Sequence, residues 1–300
     1  MSPHWLDLVD PTREELHASL PAEVEPSIVD ALAAPARVGR EPRPLLEGHE
    51  TYVYGVLAAM LPRAEGRGAW YQEIFLVATP ERLVTVCKTT DLGAPFDVSA
   101  LQAAADPETP VGIVLHRLVE DVADSYLDLL DAIYAAIDDL EDRIDQLRPA
   151  QIRLRLSELR HELLHRRRAV SATRAAVRRV LDGRIEVGDE PLFPSEVERL
   201  FGDTYDTLVR VTEELDVARD LLASVRDHLQ AKIAESQKEV GKKLTVIASL
   251  VLVPSLVVGF YGQNFEGEFA RGFWTLGVST ALILGSTVVQ LVLFRWRRWI

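Results

Sequence analysis

The side chains able to do chemistry in this chain are mostly oxygen donors. Acids outnumber Lys and Arg, and the formal net charge is −13. Most of those carboxylates read as a solvated acidic surface, while some could gather hard cations, which favour oxygen ligands. Sulfur and nitrogen donors are sparse. Cys87 is the one cysteine, so neither an internal disulfide nor a cysteine-based zinc cluster is available. Its apolar, strand-like surroundings mark it as a packed residue. Of seven scattered histidines, His161 and His165 stand at i, i+4, on an Arg-rich helix where a metal pair is disfavoured. There is no phosphate-cradling Gly-rich loop with Lys and no His-Glu-x-x-His helix. No set of groups suggests catalysis, so the chain is not expected to be an enzyme. What remains is a short polar loop, Gly259-Phe260-Tyr261-Gly262-Gln263-Asn264-Phe265, between two apolar stretches. Function is placed there.

Those stretches decide where the loop sits. Leu244 to Tyr261 carries no charge over 18 positions, and Phe273 to Phe294 none over 22. At about 1.5 Å per residue each can cross roughly 30 Å of hydrocarbon as a helix. Lys238, Lys242 and Lys243 precede the first stretch, and Arg295, Arg297 and Arg298 follow the second. Lys and Arg favour the cytoplasmic side, which predicts both termini inside and the loop outside a plasma (inner) membrane. Trp274, Trp296 and Trp299 suit the interfacial belts. The polar, acidic N-terminus lacks the apolar core of a signal peptide, so the part before the membrane is expected not to be exported.

The rest of the chain must hold this hairpin. Residues 1–110 read as a mixed α/β domain. Thr51 to Leu61 is strand-like, Glu73–Thr79 and Leu83–Lys88 form a hairpin around Thr79-Pro80-Glu81-Arg82, and residues 90–110 are loops with one short helix. Residues 1–48 have weak periodicity. From Val111 the period becomes helical. Tyr126, Leu130, Ile133, Ile137, Leu140, Ile144 and Leu147 step by 4 and 3 along one seam, which Pro149 is expected to end. A second, Arg-rich helix spans about 151–182. Its guanidinium groups, Arg166 among them, are expected on a polar face that pairs with Asp138, Asp139, Glu141 and Asp142. Overall acidity argues against a nucleic-acid partner. These two helices make up 111–195. A stalk helix follows over 196–243, with Leu208, Leu215, Leu222 and Leu229 at heptad spacing, and runs on into the first span. From Glu196 to Tyr261 it would measure on the order of 95 Å. Partners for its seam include the preceding helices and copies of itself. The transmembrane hairpin occupies 244–300, with the external loop at 262–272.

A two-span subunit cannot enclose a water-filled path alone, so transport of a polar solute requires symmetric assembly. By composition the first span fits a pore helix and a plain anchor equally. Ala248, Ser249, Ser255 and Gly259 are small or polar there, and Pro254 is tolerated where neighbours satisfy the freed carbonyl. The segment Lys243 to Ala248, Pro254, and Gly259 to Phe265 closely resembles the CorA-type divalent-cation channels, whose first membrane helix closes on a Tyr-Gly-Met-Asn-Phe signature. Weaker likenesses lie upstream, in Glu73–Cys87, Asp121–Tyr126, Phe201–Asp206 and the tail Arg297–Ile300. The resemblance covers about residue 50 to the end. It implies a CorA-like funnel, a homopentamer in membrane lipid, five first spans around the pore, and passive, potential-driven transport. Mg²⁺ is the expected cargo, with Co²⁺ or Ni²⁺ as further candidates.

The resemblance assigns Gly262, Gln263 and Asn264 to the selectivity filter at the outer mouth, where uncharged oxygens hydrogen-bond the water shell that Mg²⁺ keeps. Asn264 on its own could also be a helix C-cap. Aligned on the loop, Leu244, Ala248, Leu252 and Ser255 would face the pore, with the two leucines as apolar constrictions. Gln263 stands where the family has Met, and the loop is short and lacks a Met-Pro pair, which puts metal preference in doubt. Glu266 and Glu268 would form an acidic entrance, with plain solvated loop charges as the other reading. Glu213, Asp220 and Asp227 recur every seven residues, and the resemblance implies a regulatory cytoplasmic Mg²⁺ between subunits near Asp227. Ordinary surface pairing with Arg210, Arg219 or Arg226 is the other reading. Two alternatives to Mg²⁺ transport stand: a zinc transporter of the same family, and a membrane-anchored scaffold or sensor without transport. No resident cofactor is expected.

Overall fold

Alternation in the first hundred residues builds a sheet whose two faces are both covered. The computed structural model describes residues 4–36, 42–62, 69–106, 108–188, 191–262 and 273–299. Two compact units are present, Met1–Val225 and Arg226–Ile300. In the first, five strands are β1 (Trp5–Val9), β2 (Leu45–Gly48), β3 (Val53–Pro62), β4 (Ala69–Ala78) and β5 (Leu83–Cys87). Their order is β1-β5-β4-β3-β2. β1 lies parallel to β5 with Trp5 opposite Leu83, and every other pair is antiparallel. β5 is buried at all five positions, as a strand covered on both faces should be.

Two short helices, α1 (Arg13–Ser19) and α2 (Pro26–Ala33), cover one face. Leu16, Ile28, Val29 and Leu32 pack there against Tyr52, Val56, Phe75, Val77, Val84 and Val86. The start of α1 is fixed by a capping box, in which Thr12 and Glu15 exchange hydrogen bonds and satisfy otherwise orphaned amides. These elements and β2 lie in the stretch of weak sequence periodicity. They are too short for a 3.6 or 2.0 period to stand out.

A short α3 (Ser99–Ala104) precedes α4 (Val111–Asp142), which packs on β3, β4 and β5. The predicted seam is buried from Tyr126 through Ile144, and Leu147 is half-buried. α4 stops at Asp142, before Pro149, which instead takes the first turn of α5 (Pro149–Leu181). That is a favoured place for proline, whose missing N–H is not needed there. α5 ends in a Schellman motif. The Arg184 amide donates to the Arg179 carbonyl at 3.0 Å and the Gly183 amide to Val180 at 3.0 Å. Gly183 takes φ +64°, which glycine adopts without strain.

α6 (Ser195–Gly262) is one helix of 68 residues, its earlier part in the first unit and the remainder in the second. Leu208, Val211, Leu215, Ala218, Leu222, Val225 and Leu229 are all buried. α7 (Phe273–Trp296) completes the second unit. At its end Phe294 stacks on Trp299, with ring centroids 5.8 Å apart.

Candidate functional site

α6 from Leu244 onward and α7 are long and apolar enough to cross a membrane. Their surfaces are those of helices awaiting other cover. Leu244, Ile247, Val251, Leu252, Leu256 and Val258 are exposed on α6, as are Leu284, Val288, Val289 and Val292 on α7. A band of this size far exceeds the patches that water-soluble surfaces tolerate.

Leu244, Ala248, Leu252 and Ser255 fall on one stripe of α6. At 3.6 residues per turn they span about 80°, and Gly259 and Gly262 extend the same stripe to the helix end. All four are exposed, Leu252 at 71%. The hydroxyls near them are tied into the helix itself. Thr245 donates to the Gly241 carbonyl at 2.9 Å, Ser249 to Val246 at 3.0 Å, and Ser255 to Val251 at 2.7 Å. Each O–H is thereby satisfied without water, and each oxygen keeps acceptor capacity. Pro254 sits inside the helix. Lacking an N–H, it leaves the Leu250 carbonyl without its usual partner. Gln263, Asn264, Glu266 and Glu268 lie outside the described residues, and Gly262 is the last residue of α6.

The acidic column on α6 is exposed at Glu213, Asp220 and Asp227. Asp220 accepts from Arg219 at 3.1 Å and Asp227 from Arg226 at 3.0 Å. Asp220 and Asp227 thus each pair with a sequence neighbour. No group of three or more His, Cys, Asp or Glu that could hold a metal is found among the described residues.

The first unit holds a cavity of about 670 Å³ between the β3–β4 edge, α4 and α5. Asp121, Asp124 and Asp128 line one wall, and Arg155, Glu162 and Arg166 another. The Asp121 carboxyl is raised above the ordinary Asp range, by burial first and then by Asp124 and Glu120. Arg166 is 5% exposed and donates to Glu162 at 3.2 Å. Burial pulls its guanidinium below the usual range, against the opposing pull of Glu162. The expectation that Arg166 lies on a solvated face is therefore corrected. For Arg155 and Arg167 the expected pairing with the acids of α4 is replaced as well. Arg155 pairs with Glu158 at 3.0 Å, Arg167 with Asp216 at 3.0 Å, and Asp139 with Arg143 on its own helix at 2.8 Å. On a helix the i, i+3 and i, i+4 positions are already within reach.

Sequence reasoning also missed a buried clamp. The Tyr126 hydroxyl donates to the Ala58 carbonyl of β3 at 2.6 Å and meets the Thr173 hydroxyl of α5 at 3.0 Å. A tyrosine within an apolar seam was the available signal, since a buried phenol needs a partner. His116 plays a similar part, its Nε2 lying 3.0 Å from the Thr204 hydroxyl. Cys87 is buried and free, and burial, then Asp7 and Asp10, push its thiol up to about 12. It is a packed, unreactive thiol at neutral pH.

Comparison with known proteins joins these features. The family described as CorA-like Mg2+ transporter protein matches residues 2–297. The cobalt/magnesium transport protein CorA of Thermotoga maritima is 25% identical over 188 residues, 62% of this chain and 52% of that protein. The chain thus spans about half the length of that relative. The complete structure of the CorA magnesium transporter from Methanocaldococcus jannaschii superposes with a TM-score of 0.78 at 19% identity, covering 99% of this chain and 91% of that one. The ZntB cytoplasmic domain from Vibrio parahaemolyticus gives 0.60 at 13% identity, over 78% and 90%. These two likenesses establish the fold: a mixed α/β domain, long helices and C-terminal apolar helices.

Proposed function

The chain belongs to the CorA-like Mg2+ transporter family, and from that membership we propose that it conducts divalent cations across a membrane as a homopentamer. The observation that carries the reading is the exposed stripe Leu244, Ala248, Leu252 and Ser255, which leads along α6 to Gly262. One copy leaves this stripe uncovered. Five copies about an axis would bury it as the wall of a pore, with α7 toward lipid. Among its described residues the second unit has no group of three or more His, Cys, Asp or Glu to bind a bare ion. Conduction of a hydrated ion fits this chemistry. Mg²⁺ sheds water reluctantly, and the amide and carbonyl oxygens of Gly262, Gln263 and Asn264 suit its water shell. Glu266 and Glu268 raise the local cation concentration at the mouth, an effect that fades with salt. Leu244 and Leu252 form apolar constrictions that close by dewetting.

With both termini in the cytoplasm, the inside-negative potential drives entry. Each charge gains about 2.3 kcal/mol per 100 mV, so a divalent ion gains about 4.6. No nucleotide is needed. Asp227 is proposed as a subunit-bridging Mg²⁺ ligand that exchanges its Arg226 partner for the ion in the closed state.

Uptake into liposomes by purified protein tests the reading. Wild type is expected to take up Mg²⁺, with Co²⁺, Ni²⁺ and Zn²⁺ ranked in the same assay. Asn264→Ala is expected to lose most of the flux while keeping the oligomer. Full flux in Asn264→Ala would remove Asn264 from the filter, no flux in wild type would return the hairpin to a plain anchor, and a monomer in lipid would remove the pore.

A further inference from the structure

β2 reaches only as far as Val56 of β3, so Leu57 to Pro62 have no strand on that side among the described residues. Side chains of α4 stand in for one. The Met60 amide donates to the Ser125 hydroxyl at 3.0 Å, and the Tyr126 hydroxyl to the Ala58 carbonyl at 2.6 Å. A helix does not fill the space of a strand, and the cavity of about 670 Å³ is what remains, a size common among small-molecule sites. Its charges are not matched. Asp121, Asp124 and Asp128 stand at i, i+3 and i+7 on one stripe of α4, a row about 10.5 Å long. None of the three has a hydrogen-bond or ion-pair partner among the described residues. On the other wall Arg166 is 5% exposed and gives one N–H to Glu162 at 3.2 Å. A guanidinium has five N–H donors, and the rest of these meet no acceptor among the described residues. We infer that this cavity binds a basic α-amino acid, with its carboxylate on Arg166 and its cationic groups on the Asp121, Asp124 and Asp128 row.

The lining selects this class of ligand. A bare metal ion needs ligands that converge on one point. No group of three or more His, Cys, Asp or Glu that could hold a metal is found among the described residues. A row of separated carboxylates suits separated cationic groups instead. A purely anionic ligand would face three unpaired carboxylates. A purely cationic one would leave the buried guanidinium donors of Arg166 unfilled, which is costly. A carboxylate fits them, because the planar fork takes two oxygens in parallel N–H···O bonds. Phe96, Leu129 and Ala132 give an aliphatic stem an apolar bed between the two walls.

The second guanidinium on the wall does not repel the cationic end, since Arg155 is held by Glu158 at 3.0 Å. The acidic row itself gains from a cation. Burial, then Asp124 and Glu120, hold the Asp121 carboxyl above the ordinary Asp range, and a cationic group beside the row offsets that repulsion. A bound amino acid would tie α4 to α5 beside the free edge of β3. The site draws on the first unit alone and not on transport, so either reading can fail without the other.

The test uses the purified full chain in detergent, with L-lysine titrated calorimetrically at constant Mg²⁺. One saturable L-lysine site per chain is expected. Cadaverine, which lacks the carboxylate, should bind on the order of 10²-fold more weakly. L-norleucine, which lacks the side-chain ammonium, should bind about tenfold more weakly. These comparisons use wild type and need no variant to fold. Asp124→Asn and Asp128→Asn, both at exposed positions, should each weaken L-lysine about tenfold. Asp203→Asn, exposed on α6 and outside the cavity lining, should leave it unchanged. No saturable L-lysine binding, cadaverine as tight as L-lysine, or full affinity in the double variant Asp124→Asn, Asp128→Asn would overturn the site.

Discussion

The same substitution at two helix glycines should move stability in opposite directions. A Cβ built on Gly112 of α4 would lie 2.1 Å from the Leu192 carbonyl oxygen. Cβ atoms essentially never approach closer than 3.0 Å, and here the obstacle is backbone. The start of α4 and the segment before α6 must therefore part by about 1 Å, enough to forfeit a quarter to a half of the dispersion energy across the seam. Overpacking of this kind costs about 1–3 kcal/mol. At about 2–4 °C per kcal/mol, a central cost of ~2 kcal/mol lowers Tm by about 4–8 °C. A Cβ on Gly202 of α6 meets nothing within 4 Å. Alanine there gains about 0.8–1.0 kcal/mol of helix propensity, which raises Tm by about 2–4 °C. The assay is thermal unfolding of Gly112→Ala, Gly202→Ala and wild type in one detergent, followed by circular dichroism. Tm shifts of the same sign for both variants would falsify the close approach of α4 to Leu192 as the reason for Gly112.

Two further outcomes follow from the cavity and the clamp. Burial and like-charged neighbours raise the Asp121 carboxyl above its unfolded value, so its ionised form weakens the fold above that raised value and costs nothing below the ordinary Asp range. Asp121→Asn should therefore raise Tm at neutral pH, and the gain should vanish as pH falls below that range; a gain independent of pH would refute the charge explanation. Tyr126→Phe removes the hydroxyl that reaches Ala58 and Thr173. Leaving buried polar partners short by one bond should cost about 1–3 kcal/mol, measured by the shift in Tm, and an unchanged Tm would show that the hydroxyl is not engaged.

What could be read from the sequence is what depends on local period. Charge-free runs of 18 and 22 residues gave the spans, and α6 ends at Gly262 and α7 starts at Phe273, on either side of the polar loop. The α4 seam and the heptad leucines of α6 needed no more than a 3.6-residue period, because one face of a long helix must be buried wherever its partner comes from. The hairpin of β4 and β5 was readable from its turn residues. Membership of the family was carried by the loop motif together with Pro254.

Only the tertiary structure decided matters that depend on distant residues. β1 pairs in parallel with β5 across about eighty positions, a partnership that no local pattern encodes. The fate of the arginines was of the same kind. Arg166 has the composition of a surface residue and is buried beside Glu162 at a cavity, because the sheet edge and α4 close over it. The histidine pair illustrates the limit from the other side. Spacing placed His161 and His165 one turn apart, but only the side-chain rotamers decide that their Nε2 atoms meet at 2.8 Å.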